Sequence, residues 1–202
     1  MSSIAVHEAK QMLRKELKKR IAALSVEERA NQSQYVITKL ISHPIYKRSQ
    51  RISVYLPMIH EEVNTEGILR HIFKSKKSCF IPQYIGPKME MLKLHSMEDY
   101  QSLPVTKWNI KQPATDDKRE EALSSGGLDL IIMPGLGFST DGDRIGRGKA
   151  YYDTYLKRCS EHQSGMPKTI AVAFKEQIVE DIPTTDSDQK IDHVLFGYMD
   201  EG

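Results

Sequence analysis

The segment from Met133 to Tyr155 combines glycines and cations in a way that suits phosphate binding. Its three cations are Arg144, Arg147 and Lys149. It also holds five glycines within fourteen residues, which are Gly135, Gly137, Gly142, Gly146 and Gly148. Glycine lets main-chain N–H groups approach a ligand closely, and a helix predicted to follow the loop adds the positive end of its dipole. The segment therefore predicts an anion site, and a triphosphate is the anion that matches it best.

Two well-known phosphate-binding patterns do not describe this loop. It has neither the G-x-x-x-x-G-K-[ST] of a P-loop nor the G-x-G-x-x-G of a dinucleotide-binding turn. A glycine-rich surface turn without a ligand is the alternative interpretation, and Gly146-Arg-Gly148 by itself would not exclude it. Three cations among five glycines, directly after an apolar strand, favour the anion site.

The N-terminal region predicts two helices. Over residues 7–24 a single apolar stripe is formed by Met12, Leu13, Leu17, Ile21 and Leu24. On that helix Lys10 and Arg14 are four residues apart and therefore neighbours on the surface. Ser25 and Glu28 have the spacing of a capping box, so a second helix begins at Ser25 and ends near His43-Pro44. The basic residues of the first helix suit a solvated face or an anion site, and charge alone does not decide between them.

The rest of the chain alternates strand and helix. Short apolar runs predict strands at 52–56, 78–81 (closed by Pro82), 89–94, 128–133, 169–174 and 193–196, with helices from Thr65 to about Phe73 and from about Lys149 to Cys159. Residues 100–127 form a long polar connection. This pattern predicts an α/β fold: three αβα layers around a mainly parallel, mixed, Rossmann-like sheet, with binding sites beyond the carboxyl ends of the strands.

Composition sets limits on the class of protein. The 202 residues, 39% hydrophobic and 28% charged, predict one globular domain over 1–202, in which residues 1–45 form a helical arm on the α/β core. A formal net charge of +2 does not indicate a nucleic-acid binder, and no apolar run reaches the length of a membrane span. Cys79 and Cys159 lack metal-site spacing and read as reduced thiols. With no signal-peptide pattern at the N-terminus, we expect a cytoplasmic protein.

The motif residues closely resemble the signature of the 5-formyltetrahydrofolate cyclo-ligases (5,10-methenyltetrahydrofolate synthetases). The match lies in Pro134-Gly-Leu-Gly-Phe138, Arg144-Ile-Gly146 and Gly148-Lys-Ala-Tyr-Tyr-Asp153, and it extends over nearly the whole chain. The resemblance implies an enzyme that converts 5-formyltetrahydrofolate and ATP, with Mg²⁺, into 5,10-methenyltetrahydrofolate, ADP and phosphate. It also implies small-molecule partners, a monomer, and no nucleic-acid or membrane partner.

The resemblance also implies roles for individual residues. Arg147 and Lys149 are the cations expected to act in catalysis. ATP is expected to bind Lys10, Gln11, Met12, Leu13 and Arg14, together with Arg144, Ile145, Gly146, Arg147, Gly148, Lys149, Ala150, Tyr151 and Tyr152. The folate is expected to contact Leu56, Glu62 and Trp108, and also Gly148, Lys149, Ala150, Tyr151 and Tyr152. Asp153 and Asp188 are the magnesium-associated acids.

Several of these assignments leave an alternative open. Glu61 is adjacent to Glu62 and could take its role, because the stretch 57–62 is one residue longer than the family pattern. Trp108 could pack in the core instead of binding a flat ring. Asp153 and Asp188 could be ordinary surface acids.

Three positions depart from the family pattern. Ala150 stands where glycine is usual, Gln83 where a basic residue is frequent, and Pro57 where a small polar residue is found. If the backbone at Ala150 has a positive φ, alanine costs about 1–2 kcal/mol there. A folate or nucleotide binder without turnover is therefore one alternative. An RNA-binding protein that uses the basic first helix is another, although no aromatic residues are interleaved with those cations.

Overall fold

The computed structural model, which describes residues 3–197, contains the four predicted helices in order and two short helices that were not predicted. They are α1 (Ser3–Ala22), α2 (Val26–Ser42), α3 (Pro44–Arg48), α4 (Glu66–Lys74), α5 (Met97–Ser102) and α6 (Tyr151–His162). As predicted, Ser25 caps α2: its hydroxyl accepts a hydrogen bond from the Glu28 N–H at 3.0 Å. His43 ends α2 and caps α3, because its Nδ1 accepts from the Ile45 N–H and Pro44 cannot continue the preceding helix.

Six strands form the central sheet, and two short ones form a hairpin beside it. The strands are β1 (Arg51–Val54), β2 (Ser78–Ile85), β3 (Lys88–Leu94), β4 (Leu130–Met133), β5 (Gly137–Phe138), β6 (Arg144–Ile145), β7 (Lys168–Ala173) and β8 (His193–Phe196). The sheet order is β3-β2-β1-β4-β7-β8, with only β3 antiparallel to its neighbour, and β5 pairs with β6. The predicted mixed, mainly parallel sheet is confirmed.

The helices lie on both faces of this sheet. The chain passes from β1 to β2 in one direction across the sheet and from β4 to β7 in the other. Because such connections are right-handed, α4 and α6 must lie on opposite faces. α2 packs against α4, β7 and β8, so it shares the α4 face. The strands between these layers are buried, and β4 (Leu130–Met133) is buried throughout.

Two local predictions were wrong. β2 does not end at Pro82 but continues to Ile85. Beyond Phe80 the strand has only β3 as a partner, because its pairing with β1 stops there, and a strand paired on one side tolerates proline. Thr65 precedes α4 as expected but does not cap it with its side chain, since the Thr65 hydroxyl donates to the Tyr55 carbonyl at 2.8 Å.

α1 is held on the rest of the molecule by its apolar face. Leu17 and Ile21 are buried against Leu136, Ile145 and Ile182 in a second hydrophobic cluster, with Leu13 packed at its edge. Met12, which the sequence placed on that stripe, is 75% exposed instead. The division into one domain over 1–202 with a helical arm over 1–45 stays a prediction, which the packing of α1 and α2 supports.

Two further observations bear on the class of protein. Cys79 and Cys159 are both buried and free, as expected for reduced thiols, and burial raises the pKa of Cys159 to about 12. Within residues 3–197, no helix is both long enough and apolar enough to cross a membrane.

Candidate active site

A cavity of about 640 Å³ opens where the order of the strands reverses. Tyr55 and Leu56 follow the carboxyl end of β1 and line it from one side, and Pro134 and Gly135 follow the carboxyl end of β4 and line it from the other. In open α/β sheets, ligands bind at this reversal point because the loops diverge there and leave a crevice. The glycine-rich segment predicted to bind an anion lies in this crevice.

A short hairpin shapes the glycine-rich segment. β5 and β6 pair directly after β4, and Gly142 at their turn has a φ of 91°; a side chain there would meet the Ile191 carbonyl oxygen at 2.3 Å. From β6, Arg144 reaches Asp153 on α6 with an Nη2–Oδ2 distance of 2.6 Å. The Arg144 side chain is only 6% exposed, and its guanidinium lies over the Tyr152 ring. Arg144 therefore ties the loop to the first turn of α6.

Two cations from α1 complete this end of the cavity. The Lys10 ammonium contacts Asp188 Oδ2 at 2.5 Å, and Arg14 Nε donates to the Gly146 carbonyl at 2.8 Å. Both line the cavity, as predicted. Because residues four apart share a helix face, the residues between them point elsewhere. The side chains of Gln11, Met12 and Leu13 do not line the cavity: Gln11 hydrogen-bonds His7, Met12 is exposed and Leu13 packs on the second cluster. Their roles in nucleotide binding stay predictions.

The two predicted catalytic cations have different surroundings. Arg147 Nη1 contacts Glu61 Oε2 at 2.6 Å, and its Nε lies 3.6 Å from Glu62 Oε1. Lys149 lines the cavity, is exposed, and makes no ion pair with another residue in the range 3–197. Gly148 between them has a φ of 92°, a backbone conformation that suits glycine. Lys149 is therefore an exposed cavity cation that has no counter-ion among residues 3–197.

Apolar and aromatic side chains form another part of the cavity lining. Leu56, Trp108, Tyr151 and Tyr152 line the cavity as predicted, and Trp108 is 62% exposed, which excludes the core interpretation. The sequence missed Tyr84, whose ring lies 4.9 Å from that of Tyr151. Tyr84 lies on β2 beyond Pro82, where the strand was expected to end. Burial raises the pKa of Tyr84, so its hydroxyl stays neutral.

The structure also separates the two neighbouring glutamates. Glu62 lines the cavity, and its Oε2 accepts a hydrogen bond from the Met58 N–H at 2.9 Å, whereas Glu61 does not line it. Gln83 lies outside the cavity as well: it is buried and donates to the carbonyls of Pro113 and Ala114. Of the two glutamates, Glu62 is thus the one in the cavity lining. Gln83 instead holds the long connection in place.

Comparison with known proteins agrees with this geometry. The family model for the 5-formyltetrahydrofolate cyclo-ligase family matches residues 6–197. The chain is 54% identical to a mouse 5-formyltetrahydrofolate cyclo-ligase over 198 residues, which is 97% of each chain. The chain belongs to this family. It is also 34% identical to a Caenorhabditis elegans protein named a probable 5-formyltetrahydrofolate cyclo-ligase, over 95% of this chain and 94% of that one.

A solved structure supports the same assignment of the fold. The NMR structure of a 5,10-methenyltetrahydrofolate synthetase from Aquifex aeolicus matches with a TM-score of 0.74 and 29% identity, over 93% of this chain and 89% of that chain. The predicted α/β fold and the predicted family are therefore both confirmed.

The two acids assigned to magnesium in this cyclo-ligase both line the cavity. Asp153 accepts from Arg144 and from the Gln189 N–H, while Asp188 Oδ2 accepts from Lys10 and Thr185. Burial opposes ionisation of Asp188, but Lys10 and Thr185 outweigh it and lower its pKa. Within residues 3–197 no cluster of three acids, histidines or cysteines is suited to hold a metal ion. This arrangement fits Mg²⁺ held mainly by phosphate and water, with one or two carboxylates.

Ala150 has the backbone conformation that the family's glycine would favour. It precedes α6 with φ 52° and ψ 19°, in the left-handed region. We expect Ala150→Gly to raise the free energy of unfolding by about 1 kcal/mol and the melting temperature by about 2–4 °C, because glycine removes the steric cost of this conformation. Differential scanning calorimetry of the two proteins measures the shift. Equal or lower stability of the glycine variant would contradict the strain.

Glu62 combines burial with a functional position. Burial raises its pKa, while the Met58 N–H and Arg147 lower it in part. The pKa of Glu62 is higher in the folded protein than in the unfolded chain, so ionised Glu62 opposes folding. This destabilisation is absent below the unfolded pKa and grows as the pH rises through the folded pKa. We expect Glu62→Gln to stabilise the fold more at pH 8 than at pH 4 and to weaken folate binding by about 10- to 100-fold.

Urea unfolding at the two pH values and titration calorimetry with 5-formyltetrahydrofolate measure both effects of Glu62→Gln. A stability change that is the same at both pH values would contradict the raised pKa. Unchanged folate affinity would contradict the role of Glu62 as a substrate contact.

Proposed function

We propose that this cyclo-ligase converts 5-formyltetrahydrofolate and ATP into 5,10-methenyltetrahydrofolate, ADP and phosphate. The formyl group is an amide, and its oxygen is a poor leaving group. Transfer of the γ-phosphoryl group to that oxygen gives an iminium phosphate, which the neighbouring N10 amine attacks at carbon. N10 loses its proton to solvent, and phosphate leaves as the ring closes. Phosphoryl transfer of this kind depends mostly on positioning and on neutralising charge, and it needs no covalent nucleophile from the protein.

One observation carries this proposal: cations and aromatic side chains line a single cavity. The cations are Lys10, Arg14, Arg144, Arg147 and Lys149, and the second group is Leu56, Glu62, Tyr84, Trp108 and Tyr151. Arg147 connects the two groups, since its Nε lies 3.6 Å from Glu62. A triphosphate on the cations and a flat folate ring on the aromatic side chains would meet near Arg147. Such an arrangement brings a γ-phosphoryl group to a formyl oxygen.

The chain's own groups have separate tasks in this reaction. Lys149 and Arg147 offset the negative charge that spreads over the transferred phosphoryl group, and the N-terminus of α6 adds its dipole. Glu62 accepts hydrogen bonds from the N–H groups of the folate ring and fixes its orientation. Tyr84 and Tyr151 offer ring faces for stacking. Asp153 and Asp188 would hold Mg²⁺, which would supply positive charge to neutralise the phosphates.

Further features of the proposal concern ligands and location. ATP is the co-substrate, Mg²⁺ is the cofactor, and the partners are small molecules, with no nucleic acid or membrane among them. The protein is proposed to act as a monomer in the cytoplasm. The small net charge of +2 supports the absence of nucleic acid, because neutralising a phosphate backbone needs a concentrated cationic surface.

A direct assay tests the reaction. Protein, 5-formyltetrahydrofolate and MgATP are mixed, and the methenyl product is followed by its near-ultraviolet absorbance, with ADP measured in parallel. We expect product and ADP in equal amounts. A protein that binds both ligands but forms no product, even at high enzyme concentration, would support a binder without turnover. In that case Ala150→Gly is the variant to test for restored activity, because Ala150 lines the cavity in a strained conformation.

A further inference from the structure

Arg147 is held in this structure by groups on the folate side of the cavity, and the inference drawn from this rests on the proposed function. Its Nη1 contacts Glu61 at 2.6 Å, and its Nε lies 3.6 Å from Glu62. Its Nε and Nη2 are buried and have no hydrogen-bond partner within the described residues. A guanidinium has five N–H donors, and buried donors without acceptors destabilise a conformation. Arg147 therefore lies in a position where its Nε and Nη2 donors are unused.

Glu61 reaches Arg147 because of a tight turn after β1. The Glu61 N–H donates to the Met58 carbonyl at 3.0 Å, and His60 between them has a φ of 68°, which is uncommon for a residue other than glycine. This turn directs Glu61 to Arg147 in the glycine-rich segment, 86 residues along the chain. The Glu61 side chain is 45% exposed, so it loses its partner at little desolvation cost when Arg147 leaves.

We propose that Glu61 is a positioning residue that holds Arg147 on the folate side and competes with the triphosphate for it. A phosphate group is a better partner than Glu61, because it accepts the Nε and Nη2 donors together in a bidentate pair. Because the free Nε and Nη2 donors are buried, Arg147 must move to meet a phosphate, and this movement breaks its contact with Glu61. The Arg147–Glu61 contact therefore lowers the affinity for ATP. Glu61, in the stretch 57–62, thus sets how tightly the nucleotide binds.

Glu61→Gln tests this competition through binding rather than turnover. Titration calorimetry measures the affinity for the β,γ-imido analogue of ATP with Mg²⁺, without folate. We expect the variant to bind the analogue about threefold to tenfold more tightly, because the glutamine amide lacks the charge that retains Arg147. Glu66→Gln is the matched control: Glu66 pairs with Arg70 at 2.5 Å on the surface of α4, and its loss should leave the affinity unchanged.

A double-mutant cycle separates competition for Arg147 from a general effect of charge. In an Arg147→Gln background, Glu61→Gln should change the affinity by less than about 1.5-fold, because there is no arginine to release. Unchanged or weaker binding by the single variant would overturn the proposal. So would equal tightening in the Arg147→Gln background. Wild-type protein that does not bind the analogue would instead contradict the proposed function itself, together with this inference.

Discussion

Replacing Lys149 by glutamine is expected to lower the rate of methenyltetrahydrofolate formation by about 10²- to 10³-fold. Lys149 lines the cavity and has no ion-pair partner among residues 3–197, so its charge is available to the nucleotide. Phosphoryl transfer places negative charge on the group in flight, and removing a positioned cation withdraws stabilisation that water does not replace. Because Lys149 is exposed, the fold should be unaffected.

The measurement is initial rate by absorbance at saturating folate and ATP, with melting temperature as the check on folding. Lys157→Gln is the matched control, since Lys157 is an exposed lysine on α6 that does not line the cavity. We expect the control to keep its rate within about twofold. A normal rate for Lys149→Gln would show that Lys149 does not act in catalysis. Arg147 would then be the remaining predicted catalytic cation.

Replacing Arg144 by methionine is expected to lower the free energy of unfolding by about 3 kcal/mol. The Arg144 side chain is 6% exposed and Asp153 is 16% exposed, and their contact is 2.6 Å long. Methionine fills part of the volume but leaves the Asp153 carboxylate without its cation in a site shielded from water. Breaking a buried pair on one side is costly for that reason, although the intact pair itself is worth much less.

Urea unfolding of the wild type and the variant measures the loss. Arg70→Met is the control, because Arg70 pairs with Glu66 on the surface, where water screens the charges, and its loss should cost less than about 1 kcal/mol. An additional Asp153→Asn substitution should restore part of the stability of Arg144→Met by removing the unpaired charge. Equal losses from Arg144→Met and Arg70→Met would contradict the burial argument.

The sequence by itself predicted most of the fold and the cationic end of the site. Local signals were sufficient for this, because capping by Ser25, the break at Pro44 and the apolar run of β4 act over a few residues. The glycines and cations of the 133–155 segment are likewise close together in the chain, so their composition indicates an anion site before any contact is known. The family resemblance then added the expected reaction and the distant residues Lys10, Glu62 and Asp188.

Only the tertiary structure decided how these parts meet. The sequence predicted a strand end at Pro82, because it does not show that β2 has a partner on only one side there. Tyr84 lies beyond Pro82 and was missed for the same reason. The same limit applied to Glu61 and Glu62, which are adjacent, identical in type and both in contact with Arg147, although of the two only Glu62 lines the cavity. Side-chain direction depends on turn geometry, here the positive φ of His60.

The conformation of Ala150 was decided in the same way. Alanine has little intrinsic preference for a positive φ, so its identity alone predicts an ordinary backbone. The left-handed conformation is imposed by the hairpin before it and the helix after it, which are fixed by Arg144, Asp153 and the packing of the sheet. Sequence thus determined which groups are available for the chemistry. The long-range packing determined which of them share one cavity, because contacts between residues far apart in the chain leave no local pattern.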